Sequence, residues 1–220
     1  MKVLIAGGTG MIGRLVLKQC LEEDGITEVV AIGRRAIDNT HPKLKQVIHD
    51  DFKDFSSVSD HFEGVDIVQF CLGVYTGAVS DSRFKEITVD FTHAFAEVVQ
   101  RRSPQATFCF LSGSGADSQE KSKVAFAKYK GMAENDLISR KFGALQIFRP
   151  AYIYPVEKRK EPNLMYTVSR ALYPLIKMFG KNASITSEQL AKAMFLSGLN
   201  PSGLTILENR DILGILENPT

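Results

Sequence analysis

Short apolar runs separated by longer stretches of helical periodicity constrain the fold of this chain more tightly than any single residue. The runs are KVLIA (2–6), EVVAI (28–32), KQVIH (45–49), DIVQF (66–70), ATFCFL (106–111) and ALQIF (144–148). All are of strand length and most are nearly continuous in apolar character, as strands buried on both faces are. Segments 11–23, 84–102 and 121–142 lie between them and carry apolar residues at helical spacing. Such alternation predicts an α/β protein with a doubly wound parallel sheet. A length of 220 residues favours one domain over two.

After Arg149-Pro150 the rhythm changes. Segment 151–162, AYIYPVEKRKEP, reads as a loop, with two prolines and a cluster of mixed charge. An amphipathic stretch over 163–179 follows, then a helix over 187–197 with Ser187 as N-cap but no complete capping box. GLTIL (203–207) is a candidate last strand. Residues 151–220 are therefore expected to form a small lobe over the carboxyl edge of a core spanning 1–150.

The first apolar run leads straight into GGTGMIG (7–13), which satisfies both Gly8-x-Gly10-x-x-Gly13 and Gly7-x-x-Gly10-x-x-Gly13. A tight strand-to-helix turn needs glycine for its backbone angles, and a missing Cβ lets a pyrophosphate approach the main chain. The phosphates then sit on the positive end of the helix. Gly7, Thr9, Gly10, Met11, Ile12 and Gly13 are accordingly the expected cradle of a dinucleotide.

An NAD site places a carboxylate at the end of the second strand, against the ribose 2′-hydroxyl. This chain has Gly33-Arg34-Arg35 there. A guanidinium grips a 2′-phosphate with paired, charge-assisted hydrogen bonds, so Arg34 and Arg35 point to NADP (NADPH). Asp51, with Phe52 beside it, follows the third run as either an adenine contact or a helix cap. Leu72 and Gly73 follow the fourth run, where the main chain passes close to a bound ribose.

Composition narrows the class of partner. A net charge of +2 gives no electrostatic case for nucleic acid, and no run approaches the roughly 18 apolar residues of a membrane helix. Cys20, Cys71 and Cys109 are odd in number and widely spaced, which fits a reducing cytoplasm better than a disulfide framework. His41, His49, His61 and His93 stand apart, without metal-ligand spacing. A small-molecule substrate or acceptor is the expected partner, with a homodimer or a protein partner as further options.

In AGGTGMIG, AIGRR, DF (51–52), FCLGVYTG (70–77), LSGSGAD (111–117), KYKGMAE (128–134) and FRP (148–150), the chain resembles the short-chain dehydrogenase/reductase superfamily. The nearest likeness is to its atypical branch of oxidoreductases named for an HIV Tat-interacting protein. The motifs span residues 6–150, and beyond them the likeness is one of layout. The resemblance implies a serine after the fifth strand and a tyrosine four residues before a lysine on the next helix. Residues i and i+4 share one helix face, so the lysine lowers the phenol's pKa and holds the nicotinamide ribose.

Lys130 matches that lysine, and Phe126 stands where the tyrosine would be. Tyr129 is adjacent to Lys130 and points about 100° away around the helix. Ser112 is favoured over Ser114 for the serine, the other reading being a polar SGSG turn. Lys130 is either a ribose ligand or an exposed lysine paired with Glu134. The implied function is NADP(H)-dependent reduction of a small carbonyl or conjugated acceptor, with catalytic residues Ser112 and Lys130. The alternative is a dinucleotide-binding regulatory protein without turnover. A sugar-nucleotide epimerase fits poorly, because those enzymes rely on the missing tyrosine and carry a larger lobe.

Overall fold

The computed structural model describes residues 1–75, 77–157, 173, 180 and 182–217. The six apolar runs form β1 (Lys2–Ala6), β2 (Glu28–Gly33), β3 (Leu44–Ile48), β4 (Ile67–Phe70), β5 (Thr107–Leu111) and β6 (Ala144–Arg149). Three shorter strands follow, β7 (Tyr152–Tyr154), β8 (Ser184–Thr186) and β9 (Ile206–Glu208). The main sheet is parallel throughout, in the order β3-β2-β1-β4-β5-β6-β9. The order reverses between β1 and β4, and ligands of open α/β sheets bind at the carboxyl side of that reversal. The expected doubly wound, Rossmann-like class is borne out.

Side chains alternate between two dry faces. Val3 and Ile5 pack toward α1 (Met11–Glu22), whereas Leu4 and Ala6 pack on the opposite core. That second core is rich in phenylalanine: Phe55, Phe62, Phe70, Phe95 and Phe108 meet edge-on, except that Phe70 stacks on Phe108, with ring centroids 5.0–6.4 Å apart. Phe62 comes from a 3-10 helix (Ser56–Phe62). Offset and edge-on pairs of this kind add to the stabilisation that burial alone provides.

Helix boundaries differ from the sequence expectation for local reasons. The segment expected at 84–102 begins earlier as α2 (Asp81–Lys85), where the Ser80 hydroxyl accepts from Arg83 N–H, and continues through a π-helical turn (Glu86–Asp90) into α3 (Phe91–Arg102). The helix expected from 121 begins later, as α4 (Ala125–Ser139). The Asp117 carboxylate collects the backbone N–H groups of Gln119, Lys121 and Ser122 at 2.7–3.0 Å, holding that stretch in a turn. These bonds favour the charged carboxylate and lower its pKa.

Two expectations for the C-terminal third need correction. Segment 151–162 is not all loop, because β7 lies within it and pairs in parallel with β8. The N-cap of α5 (Ser187–Leu199) is Thr186 rather than Ser187, and its capping box is complete. Thr186 Oγ accepts from Gln189 N–H at 3.1 Å while Gln189 Oε1 accepts from Thr186 N–H at 3.0 Å. Ser187 Oγ accepts from Val156 N–H instead, at 3.2 Å, tying the loop after β7 to α5. The last strand starts at Ile206, and α6 (Asn209–Glu217) follows it. The amphipathic stretch expected over 163–179 lies outside the described residues, apart from Tyr173.

Candidate functional site

Of the two glycine spacings, contacts select the one through Gly7. Gly7 has φ +85°, and a Cβ there would lie 2.7 Å from the carbonyl carbon of Cys71 and 2.8 Å from Leu72 N. A Cβ on Gly13 would lie 2.2 Å from Gly7 O, so the first turn of α1 is seated directly on the glycine turn. Gly10 is the N-cap of α1, with no side-chain cap and no acidic residue in the first turn. The end of a twelve-residue helix therefore presents uncapped N–H groups and positive potential at the sheet's switch point. A cradle that a Cβ would fill, ending in an uncapped helix, fits a pyrophosphate.

Two cavities flank this turn. One, of about 60 Å³, is lined by Gly7, Thr9, Arg34, Arg35, Phe52 and Leu72 among others. The other, of about 500 Å³, is lined by Gly10, Met11, Ile12, Leu72 and Gly73 and, across from them, by Ser112, Phe126 and Lys130. Leu72 belongs to both walls. Twelve of the fourteen residues singled out for cofactor or chemistry are thus brought together; Gly13 and Asp51 line neither cavity. Gly13 acts through close packing. The Asp51 carboxylate accepts from Lys53 N–H at 2.9 Å and closes a local turn. Arg34 and Arg35 are exposed, and neither guanidinium has an ion-pair partner among the described residues.

Phe126, Lys130 and Glu134 stand at i, i+4 and i+8 on one face of α4. Phe126 lies against Gly113, where an added Cβ would be 2.5 Å from its Cζ. Tyr129 faces elsewhere and donates its hydroxyl to Asp81 at 2.7 Å. The alternative of an exposed lysine is overturned: Lys130 is 8% exposed and donates to Leu111 O at 2.9 Å, with its ammonium 5.0 Å from the Phe110 ring centroid. Burial pushes the ammonium down to about 8, against an opposing pull from Glu134. Affinity for a dinucleotide is expected to fall as pH rises through about 8, because Lys130 loses the charge and a donor proton there. Titrations at pH 6.5 and 9.5 would show the drop, and Lys130→Met would lack it.

Ser112 is buried at the cleft wall and donates its hydroxyl to Glu134, whereas Ser114 is exposed and outside the cleft. Glu134 is fully buried and is gripped by Arg149, whose Nε lies 3.1 Å from both carboxylate oxygens. Arg149 also reaches Glu208 on β9 at 3.1 Å and Ser118 at 3.0 Å. Sequence reasoning gave Glu134 only a surface pairing with Lys130 and gave Arg149 no role; the signal was a carboxylate one turn beyond the family lysine and an arginine in FRP. Tyr75 and Tyr152 add rings to the cleft wall, and Tyr154 stacks on Tyr173 at 3.8 Å. Burial pushes the Cys20 and Cys71 thiols up to about 12 and Cys109 higher still, so all three favour the unreactive thiol.

Residues 7–168 match the model of a family described as NAD(P)H-binding. The chain is 24% identical over 215 residues to Protein HTATIP2 of Rattus norvegicus, covering 96% of this chain and 87% of that one. It is 28% identical over 152 residues to the mitochondrial Protein FMP52 of Debaryomyces hansenii, covering 68% and 66%. Among solved structures, it is similar to yeast methylglyoxal/isovaleraldehyde reductase Gre2 complexed with NADPH, with TM-score 0.71 and 16% identity over 94% of this chain and 77% of that one. It is also similar to MoeE5 in complex with UDP-glucuronic acid and NAD, with TM-score 0.72 and 15% identity over 94% and 76%. These structural likenesses show the fold. No helix among the described residues is long and apolar enough to cross a membrane. A family match over most of the chain, a glycine cradle at the switch point and a lysine facing the cleft converge: the chain belongs to the NAD(P)H-binding family and is similar to HTATIP2 over nearly its whole length.

Proposed function

We propose that the chain binds NADP(H) in preference to NAD(H) and reduces a small acceptor, with conjugated rings favoured over isolated carbonyls. The observation that carries this reading is the helix face of α4, which keeps Lys130 in the cleft but puts Phe126 where an acid would stand. The cradle and the first turn of α1 hold the pyrophosphate, the arginine pair holds the 2′-phosphate, and Lys130 holds the ribose hydroxyls. When bound, a dihydronicotinamide supplies an electron pair and a hydrogen nucleus together. An isolated aldehyde then needs a proton on its oxygen as the new bond forms. Phe126 has none to give, and the hydrogen of Ser112 is committed to Glu134. A quinone or flavin ring spreads the incoming charge and takes its proton from water, so the missing phenol matters little.

Among the described residues, Glu157 after β7 forms an ion pair with Arg14 on α1, beside the cradle, which supports a capping role for that loop. The cytoplasm remains the proposed location on the strength of three unpaired thiols, although yeast relatives are named mitochondrial. The alternative, a regulatory NADP(H)-binding protein, draws on the same Phe126. Turnover separates the two. With menadione and FMN as probes, NADPH oxidation by the wild-type chain is expected, and Phe126→Tyr should leave it within about threefold. The same substitution should raise reduction of an aldehyde panel by roughly a hundredfold, the lower end of general-acid contributions. Tight NADPH binding with no oxidation by any probe would decide for the regulatory reading.

A further inference from the structure

The two arginines sit on a segment that the main-chain ladder does not hold. β2 ends at Gly33, and β3 resumes pairing with it from Leu44. Within 34–39, the only backbone hydrogen bond among the described residues is a local one, from Asn39 N–H to Ile37 O at 2.8 Å. The segment is tied to the sheet by one side chain. Gln46 on β3 accepts from Ile37 N–H at 2.7 Å and donates to Ile37 O at 2.9 Å and to Asn39 O at 3.0 Å. A carboxamide is the one neutral side-chain group with an acceptor and two donors on a single plane, so it pairs with Ile37 as another strand would. The tie also seats Ile37 over the glycine turn, with its Cδ1 3.0 Å from where a Gly8 Cβ would be. Gln46, Ile37, Arg34 and Arg35 all line the smaller cavity.

We infer that Gln46 is a positioning residue for cofactor choice: its amide fixes the 34–39 segment so that Arg34 and Arg35 are preorganised around a 2′-phosphate. The inference rests on the arginine reading above. A guanidinium on an untethered loop must be ordered when the ligand arrives, and that cost falls on the ligand that uses the arginine. NADPH uses it; NADH does not. Loss of the tie therefore weakens NADPH selectively, which a general loosening of the fold would not do.

The test is a parallel titration with NADPH, NADH and 2′,5′-ADP of the wild-type chain, Gln46→Met and Gln46→Asn, with Arg34→Glu as reference. Methionine keeps the volume without hydrogen bonds, and asparagine keeps the amide one methylene short of its partners. Both variants are expected to bind NADPH and 2′,5′-ADP roughly tenfold more weakly, about the weight of one charge-assisted hydrogen bond, and NADH within about threefold. Thermal midpoints place either variant among folded proteins before its ratio is read. An unchanged NADPH-to-NADH ratio in Gln46→Met and Gln46→Asn, with the ratio lost in Arg34→Glu, overturns the role of Gln46 alone. A wild-type chain without preference, matched by Arg34→Glu, overturns the arginine reading and this inference with it.

Discussion

Glu134→Ala is expected to lower the free energy of unfolding by about 3–5 kcal/mol, the range for breaking one partner out of a buried ion pair. Glu134 has no exposed surface, and its oxygens serve Ser112 and the fork of Arg149 together. Alanine leaves Arg149, whose side chain is 12% exposed, to its contacts with Glu208 and Ser118. Those partners lie toward solvent and cannot return what the buried carboxylate supplied. Glu134→Gln keeps an acceptor and the volume, and should cost clearly less. Urea denaturation of both variants measures the difference. The double replacement Glu134→Leu with Arg149→Met should recover most of the loss, since removing a buried pair together leaves no charge unpaired. If Glu134→Ala unfolds at the wild-type midpoint, the network does not hold α4 to β6 and β9.

That network also shows where sequence reading stops. The central strands were legible because a sheet covered on both faces writes its burial directly into short apolar runs, as in KVLIA and EVVAI, whereas the edge strand β3 buries only Val47 fully. The cradle was legible because Gly7 and Gly13 answer to backbone contacts within a few residues or one strand away. β7 was not, since its pairing partner β8 is separated from it by some thirty residues and three-residue strands carry no period. Nor was the tie from Gln46 to Ile37, in which a polar residue on an edge strand resembles any solvated side chain. Lys130 is the most instructive case. Its spacing to Glu134 matched an ordinary surface pair, and only the packing of α4 against β5 reveals that the lysine is buried and turned into the cleft. Phe126 could be placed from spacing alone, but the commitment of the Ser112 hydroxyl to a carboxylate needed the fold.

Arg34→Glu is expected to weaken NADPH binding by roughly a hundredfold or more while leaving NADH within about threefold, because a charge-assisted contact worth about 1.5–3 kcal/mol is replaced by repulsion. The residue is exposed and pairs with no described acid, so its removal takes nothing from the fold, and the thermal midpoint should stay within about a degree or two. That separation of affinity from stability is what distinguishes a ligand-holding arginine from a structural one such as Arg149. Salt provides a second axis. A guanidinium at the rim of the cavity is reached by solvent, so NADPH affinity of the wild-type chain should fall with ionic strength more steeply than NADH affinity. In Arg34→Glu that excess slope should vanish. Arg35→Glu decides whether the neighbouring guanidinium shares the phosphate: a loss similar to that of Arg34→Glu means a two-pronged grip, and a small one leaves Arg35 free to lie over the adenine face. Equal affinity of Arg34→Glu and wild type for NADPH would return the arginines to the status of a solvated strand end, and the choice between the two cofactors would then fall to the ribose side of the site.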